Sequence, residues 1–294
     1  MSVIQQTAER IRNKYHPLHH LRRSSIYQKV LQPVLDFPIP ANLGLRHKVH
    51  LRLLTHFSFL FLSRRMEAEA LDTFSTIIEH LDAGQESFID VGANIGLYTW
   101  HALERHTDLH VAAFEPDPRN AALLQQSAER WKAPNLVIHS LAASNQAGHA
   151  SFTQDLLSSA TGSLQQSETP FAERHYHQRP VRIEVPTATL DKATGDMPRP
   201  ALIKIDVEGH ERQVLEGAPH LLEAHRPILL IESFGERAAE IREILTPLGY
   251  KFLDADSGQP THPETMNYLC LNLDRAKALI LKRLADKGLS FDSK

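Results

Sequence analysis

The chain has 294 residues, of which 42% are hydrophobic and 23% are charged, and its formal net charge at pH 7 is −3. This composition is typical of a globular protein with a sizeable core and excludes a disordered or collagen-like chain. Cys270 is the only cysteine, which excludes an intrachain disulfide. The most apolar segment, residues 51–62, is shorter than the roughly 20 residues that span a bilayer. Residues 1–25 lack the apolar segment of a secretory signal, so we expect a cytoplasmic protein.

Positive charge is concentrated at the start of the chain. Residues 1–66 contain eleven Lys and Arg against Glu9 and Asp36, which gives +9 there and −12 over residues 67–294. Such a basic segment is typical of solvated helix faces. The alternative is contact with an anionic surface, which could be phospholipid at the inner face of a membrane, nucleic acid or an acidic glycan. Pro, Gly and Asn cluster at residues 32–44, which predicts a linker. We therefore expect a helical N-terminal extension, 1–66, and a main domain, 67–294.

The main domain alternates between helical and strand patterns. A first helix is predicted over residues 66–81, where apolar residues recur at three- and four-residue steps. Further helices are predicted at 97–105, 119–131, 211–223 and 236–245, and strands at 88–91, 111–114, 136–141, 202–207, 228–231, 250–253 and 268–273. This alternation predicts βαβ units, and hence an α/β fold with a mostly parallel sheet and helices on both faces. Residues 149–189 interrupt it and are expected to form an inserted hairpin with a long loop.

A glycine-containing turn, DVGANIG at residues 90–96, joins the first of these strands to its helix. Gly92 and Gly96 allow a tight turn and the close approach of a ligand to a helix N-terminus. Glu115 follows the second strand, where a carboxylate accepts hydrogen bonds from ribose hydroxyls. The glycine spacing departs from the G-x-G-x-x-G of NAD-binding turns, and Asp90 would attract the ammonium group of an amino-acid-like cofactor. These features favour S-adenosylmethionine over NAD.

Charged side chains also follow the fourth and fifth strands. Because strand side chains alternate, Lys204, Asp206 and Glu208 share one face, and ligands of open parallel sheets lie beyond the carboxyl ends of the strands. Glu232 ends the next strand. The candidates for a catalytic base are Asp206, Glu208, His210 and Glu232, of which we favour Asp206 or Glu208, with Lys204 keeping the carboxylates ionised. A structural salt-bridge network and a divalent metal held by the three carboxylates are the alternatives, and no metal site is expected.

The same segments resemble the motifs of the FkbM-type family of class I S-adenosylmethionine-dependent O-methyltransferases. The shared motifs are DVGANIG (90–96), FEPDP (114–118), TLD (189–191), KIDVEGHE (204–211) and IE (231–232). The resemblance covers about residues 67–273 and implies a Rossmann-like, seven-stranded sheet with a reversed final strand. It also implies that the cofactor is bound by Asp90, Gly92, Ala93, Asn94, Gly96, Glu115, Ala142 and Asp206.

The expected reaction is therefore methyl transfer from S-adenosylmethionine to a hydroxyl of a sugar, glycan or glycolipid-like acceptor. A secondary metabolite such as a polyketide is the alternative acceptor. A non-catalytic cofactor-binding protein that docks on anionic lipid through residues 1–66 is the alternative of another class. Nucleic acid is not expected as a partner, because the main domain is acidic and aromatic residues make up only 7% of the chain.

Overall fold

The structure is a computed structural model that describes residues 19–60, 68–164, 173, 180–274, 276–286 and 288. Its helices, in chain order, are α1 His19–Arg22, α2 Gln32–Leu35, α3 Ala68–Ile78, α4 Leu97–Arg105, α5 Pro118–Trp131, α6 Leu190–Ala193, α7 Glu211–Glu216, α8 Pro219–His225, α9 Arg237–Leu245 and α10 Ala278–Asp286. A π-helical turn lies at Tyr27–Leu31 and a 3₁₀ turn at Thr246–Leu248. The strands are β1 Pro38–Ala41, β2 Val49–Arg52, β3 Glu86–Val91, β4 His110–Phe114, β5 Leu136–His139, β6 Ala142–Ala143, β7 Gly148–Gln154, β8 Val181–Ala188, β9 Arg199–Ile205, β10 Ile228–Glu232, β11 Tyr250–Asp254 and β12 Asn267–Asn272.

Seven strands form the central sheet, in the order β11-β12-β10-β9-β3-β4-β5. The neighbouring pairs from β10 to β5 are parallel, whereas β12 runs antiparallel to both β10 and β11. The Rossmann-like sheet with a reversed final strand is confirmed. Because β3 and β9 are neighbours, the turn after β3 lies beside the motif that follows β9, although about 110 residues separate them in the sequence.

Helices cover both faces of this sheet, as the sequence predicts. Strand residues alternate between two cores, so that Phe88 packs with α3, α4 and α5 while the adjacent Ile89 packs with α7, α8 and α9. The predicted helix at 211–223 is wrong in one respect, because the structure has two helices there. Gly217 separates α7 from α8, and Pro219 stands at the start of α8, where its missing N–H is no loss.

The inserted hairpin is confirmed by the antiparallel pairing of β7 with β8. The pairing register places Ala150 opposite Val185, and β6 adds a third, parallel strand on the other side of β8. Most of the loop between the two hairpin strands, residues 165–172 and 174–179, lies outside the described residues. The described beginning of this loop, residues 155–164, returns towards the carboxyl edge of the central sheet.

The interpretation of residues 32–44 as a linker is wrong. They contain α2 and β1, and β1 pairs antiparallel with β2 to form a hairpin. The hairpin packs on α5, where the His50 N–H donates to Ser127 Oγ over 2.7 Å, and Val49 and Leu51 are buried in the same core as α3, α4 and α5. Residues 38–52 thus belong to the core of the main domain, and the described part of the N-terminal extension is a mixture of helix and strand. Residues 1–18 and 61–67 lie outside the described part of the chain.

Candidate functional site

A cleft lies at the carboxyl edge of the sheet and encloses about 920 Å³ of empty space, part of it open to solvent. Its walls come from the ends of β3, β4 and β9, from β6 and from the loop 155–164. The sequence-predicted residues that line it are Gly92, Ala93, Asn94, Glu115, Ala142, Lys204, Asp206, Glu208 and His210. The structure therefore brings together most of the predicted cofactor and catalytic residues in one cleft.

The turn after β3 is held against the end of β9. Gly92 has a φ of 78°, and a Cβ atom there would lie 1.8 Å from the carbonyl oxygen of Asp206. The N–H groups of Gly92 and Ala93 both donate to the carbonyl oxygen of Phe114 over 3.0 Å, which fixes the turn to β4 as well. Only a glycine fits this conformation and this space.

Glu115 connects this turn to the end of β4. Its Oε2 accepts a hydrogen bond from the Asn94 N–H over 2.7 Å and its Oε1 accepts one from the Asp117 N–H over 2.8 Å. Only 5% of the residue is exposed. Burial raises the pKa of Glu115 to about 7, although the two backbone N–H groups act in the opposite direction. The Glu115 carboxyl group is therefore partly ionised and partly protonated near neutral pH.

Asp90 lies near the end of β3, just before the glycine-containing turn. It is 1% exposed and is not one of the residues that line the cleft. Its Oδ2 accepts hydrogen bonds from Thr99 Oγ1 over 2.6 Å and from the Thr99 N–H over 3.1 Å, which ties β3 to the first turn of α4. Burial raises the pKa of Asp90. Asp90 Oδ2 therefore helps to hold α4, while Oδ1 is buried with no hydrogen-bond partner among the described residues, and direct binding of an ammonium group by Asp90 stays a prediction.

Gly96 does not line the cleft but packs closely against Leu124 and Trp100. Its φ is 88°, and a Cβ atom there would lie 2.6 Å from both Leu124 Cδ2 and Trp100 Nε1. The absence of a side chain at Gly96 allows the start of α4 to pack closely against α5. Gly96 would therefore affect a bound ligand only indirectly, by fixing the position of α4.

Lys204 and Asp206 form an ion pair at the other end of the cleft. The Lys204 ammonium lies 3.0 Å from Asp206 Oδ2 and 5.0 Å from the centre of the Tyr98 ring. Only 7% of Lys204 is exposed, so the charged head is kept in place by the carboxylate and the ring. The salt-bridge alternative raised from the sequence is thus present, and both members of the pair line the cleft.

The residues after Asp206 follow the wall of the cleft. Glu208 has a φ of 50°, and its carbonyl oxygen accepts a hydrogen bond from Ser163 Oγ over 2.7 Å. His210 Nε2 lies 2.9 Å from Ser144 Oγ, and burial lowers the pKa of His210, which keeps the imidazole neutral at pH 7. Glu232 is not among the residues that line the cleft, and its role as a catalytic candidate stays a prediction. Within the described residues, no group of three or more His, Cys, Asp or Glu is arranged to hold a metal.

The loop 155–164 forms a roof over the cleft that the sequence motifs do not reveal. The Asn94 side chain donates from Nδ2 to the carbonyl oxygen of Ser159 over 2.6 Å, and Asn120 Nδ2 donates to Ser159 Oγ over 2.7 Å. Asp155 holds the loop by accepting hydrogen bonds from the N–H groups of Leu157 and Ser158, each over 2.9 Å. The available signal was weak, since Asp155 lies in a loop rich in serine and Asn120 lies in a helix just after the FEPDP motif.

The cleft fits the expected cofactor in its chemistry. Glu115 supplies a carboxylate for ribose hydroxyls, and Leu141 and Ala142 supply an apolar wall for a nucleobase. The Oδ1 atom of Asn94 is buried and has no hydrogen-bond partner among the described residues, so it is an acceptor available to the ammonium group of an amino-acid moiety.

Comparisons of the sequence with known proteins identify a family and a relative. A family model described as the methyltransferase FkbM domain matches residues 90–252. The hexuronic acid methyltransferase AglP of Haloferax volcanii is 29% identical over 161 residues, which is 53% of this chain and 60% of that relative. The matched part is thus less than two thirds of the curated relative.

Two solved structures have similar folds. The methyltransferase FkbM from Methylobacillus flagellatus is 20% identical, with a TM-score of 0.45 over 67% of this chain and 47% of that one. The precorrin-6y C5,15-methyltransferase from Geobacter metallireducens is 11% identical, with a TM-score of 0.39 over 68% of this chain and 85% of that one. These likenesses are distant, and the family assignment rests on the sequence model.

Proposed function

The chain belongs to the FkbM methyltransferase family, and from that premise we propose that it transfers a methyl group from S-adenosylmethionine to a hydroxyl of a sugar-containing acceptor. The observation that carries the proposal is one cleft that is lined both by residues suited to a nucleoside and by an ion pair. Glu115 and Asn94 follow β4 and β3, whereas Lys204 and Asp206 lie at the end of β9, the neighbour of β3 on its other side.

In the proposed complex the cofactor is S-adenosylmethionine, which supplies an activated methyl group on its sulfonium. Glu115 would accept hydrogen bonds from the ribose, Ala142 would contact the adenine, and the backbone of Gly92 and Ala93 would run beside the methionine moiety. The roof residue Ser159, which contacts both Asn94 and Asn120, would exclude water from this part of the cleft.

Asp206 is the residue that we assign to the acceptor hydroxyl. Lys204 donates to its Oδ2 over 3.0 Å, which orients the carboxylate. A fixed carboxylate at this place would accept the hydroxyl proton and hold the acceptor oxygen in line with the methyl group. His210 and Glu208 line the same wall, and the neutral imidazole of His210 is the second candidate to receive a proton.

A sugar-containing acceptor is favoured by the relative named as a hexuronic acid methyltransferase. A hydroxyl acceptor must lose its proton during methyl transfer, and Asp206 is a carboxylate that can accept it, whereas a carboxylate acceptor would need no base. A polyketide-like hydroxyl compound is the alternative acceptor, and the same assay distinguishes the two classes.

The test is methyl transfer from labelled S-adenosylmethionine to panels of uronic acids, neutral hexosides and apolar hydroxyl compounds. Asp206→Asn should lower turnover by about 10²-fold or more, because general base catalysis contributes roughly that much. Glu223→Gln, a change of an exposed carboxylate on α8, is the matched control and should be as active as the unaltered protein. Labelling of apolar hydroxyl compounds alone would support the alternative acceptor, and full activity of Asp206→Asn would remove the assigned base.

A further inference from the structure

The helical segment 21–37 presents its apolar side chains to solvent. Seven large hydrophobic residues are exposed along it, with Ile26 65% and Val34 70% exposed, namely Leu21, Ile26, Val30, Leu31, Val34, Leu35 and Phe37. We refer to these seven residues as the outward face. Among the described residues, only Val137 and Val181 are other large hydrophobic side chains with comparable exposure. The concentration of such residues in one short segment marks an interaction surface.

The buried side chains of the same segment are those of Tyr27, Arg22 and Asp36, and two of these three are charged. Arg22 is fully buried and donates from its guanidinium to the carbonyl oxygens of Leu54 and Thr55, each over 3.0 Å. Gln32 Nε2 donates to the carbonyl oxygen of Leu156 over 2.5 Å. The segment 21–37 thus exposes most of its large apolar side chains, whereas an ordinary amphipathic surface helix buries them. These hydrogen bonds prevent the helix from turning its apolar side inward.

The charge around the outward face is positive. Arg23 and Lys29 are exposed within the same segment. Asp36 is the only acidic residue between positions 19 and 37, and it is buried and paired with Arg52 over 2.8 Å. A second copy of the chain on this face would bring like charges together, since a twofold interface repeats the same patch. An anionic lipid surface instead complements both the apolar side chains and the exposed Lys29.

We propose that the outward face is a docking surface for an anionic membrane. Its apolar side chains enter the boundary between headgroups and acyl chains, and Lys29 lies at the lipid phosphates. Gln32 in α2 contacts Leu156 in the roof loop on the side away from the lipid. Docking would therefore hold the cleft about one helix diameter, roughly 10 Å, from the lipid. A cleft at this distance from the lipid would suit a lipid-linked sugar, and this point rests on the proposed function. The membrane docking itself is independent of the proposed function.

The experiment is co-sedimentation of the full chain with phosphatidylcholine vesicles that contain either no anionic lipid or about 30% phosphatidylserine. The protein should sediment with the anionic vesicles, and binding should weaken as the salt concentration rises. A Val30→Ser, Val34→Ser double variant should partition at least tenfold more weakly. A Val137→Ser, Val181→Ser double variant removes two exposed valines elsewhere and should bind as the unaltered protein does. Lys29→Glu should weaken binding severalfold, and Lys251→Glu, an exposed lysine on β11, should not.

Binding of S-adenosylhomocysteine, measured for each variant, shows whether the variant is folded and separates docking from the proposed activity. Loss of docking with unchanged cofactor binding supports the proposal even if no sugar acceptor is methylated. No sedimentation with anionic vesicles, or equal sedimentation of both valine double variants, would overturn it. A change of molecular mass from dimer to monomer in the Val30→Ser, Val34→Ser variant, without vesicle binding by the unaltered protein, would assign the face to self-association instead.

Discussion

At the scale of single residues, Gly92 makes the closest contact between the turn after β3 and the end of β9. An alanine there would have to displace the backbone of Asp206, in addition to adopting a positive φ. We predict that Gly92→Ala lowers the free energy of unfolding by at least about 2 kcal/mol more than Gly235→Ala. Gly235 has a similar φ of 67° but no atom within 4 Å of the added Cβ, so its alanine variant measures the conformational cost alone. Urea unfolding of both variants provides the comparison, and equal losses would contradict the close contact.

Glu115 makes the affinity for the cofactor depend on pH. With a pKa of about 7, its ionised fraction falls from about nine-tenths at pH 8 to about one-tenth at pH 6. If the ionised form accepts the ribose hydroxyls, the Kd for S-adenosylhomocysteine should rise by up to about tenfold over this interval. Glu115→Gln should bind more weakly at pH 8 and with little dependence on pH. Calorimetry at several pH values measures both, and a flat profile for the unaltered protein would contradict the assignment.

The same residue has the opposite effect on stability. Because the folded state raises the pKa of Glu115 from about 4.5 to about 7, the folded protein binds its proton more tightly than the unfolded chain. The free energy of unfolding should therefore decrease as the pH rises from about 4.5 to about 7. Glu211, whose pKa burial also raises to about 7, contributes in the same direction. Cofactor affinity is thus the more specific measure of Glu115.

At the scale of elements, the roof loop depends on one buried carboxylate. Burial would raise the pKa of Asp155, but the hydrogen bonds from Ser158 and Leu157 and the charge of Arg22 outweigh it, so the pKa is lowered. Its stabilising effect is therefore present above the pKa of the unfolded chain and is lost as the pH falls.

Asp155→Ala should speed amide hydrogen exchange across residues 157–161 and weaken cofactor binding. Hydrogen bonds to a charged group contribute about 1.5–3 kcal/mol each, so a loss of at least about 2 kcal/mol in the free energy of unfolding is expected. Asp196→Ala, which changes an exposed aspartate, is the control. Unchanged exchange in the roof would show that Asp155 does not hold it.

The β1–β2 hairpin is a second element with a testable role. Leu51 is fully buried in the core that it shares with α3, α4 and α5. Leu51→Ala should lower the free energy of unfolding by about 2–5 kcal/mol, within a single cooperative transition. Val137→Ala, at an exposed site, should cost well under that amount. Two separate unfolding transitions in urea would show that the hairpin is not part of the main core.

At the scale of the whole molecule, the sequence predicts the sheet and most of the cleft because both depend on local patterns. Apolar strands alternating with helices specify the parallel sheet, and the ends of such strands bring Glu115 and Asp206 to one edge. The same patterns do not predict the β1–β2 hairpin, because Pro38 and Pro40 are residues typical of loops. Prolines are tolerated in an edge strand, and burial of the facing strand against α5 decides the outcome.

The direction of a buried side chain is a second property that the sequence does not supply. The motif containing Asp90 does not reveal that Thr99, nine residues later, donates two hydrogen bonds to Asp90 Oδ2 and so ties the carboxylate to α4. The segment 21–37 is a second example, because only the tertiary contacts of Arg22 and Gln32 show which of its side chains face the protein.

The strand order explains why one cleft can hold both a cofactor and an acceptor. The chain moves outward from β3 to β4 and β5, and then returns to place β9 on the other side of β3. The crevice of an open parallel sheet lies at such a reversal. None of the helices within the described part of the chain is long and apolar enough to cross a membrane.

The most direct test of cofactor binding in this cleft is calorimetry of the full chain with S-adenosylhomocysteine and, separately, with NADH. We predict a single site for S-adenosylhomocysteine, weakened at least tenfold by Glu115→Ala, and no binding of NADH. Binding of NADH, or S-adenosylhomocysteine binding that Glu115→Ala leaves unchanged, would contradict the assignment of the cleft.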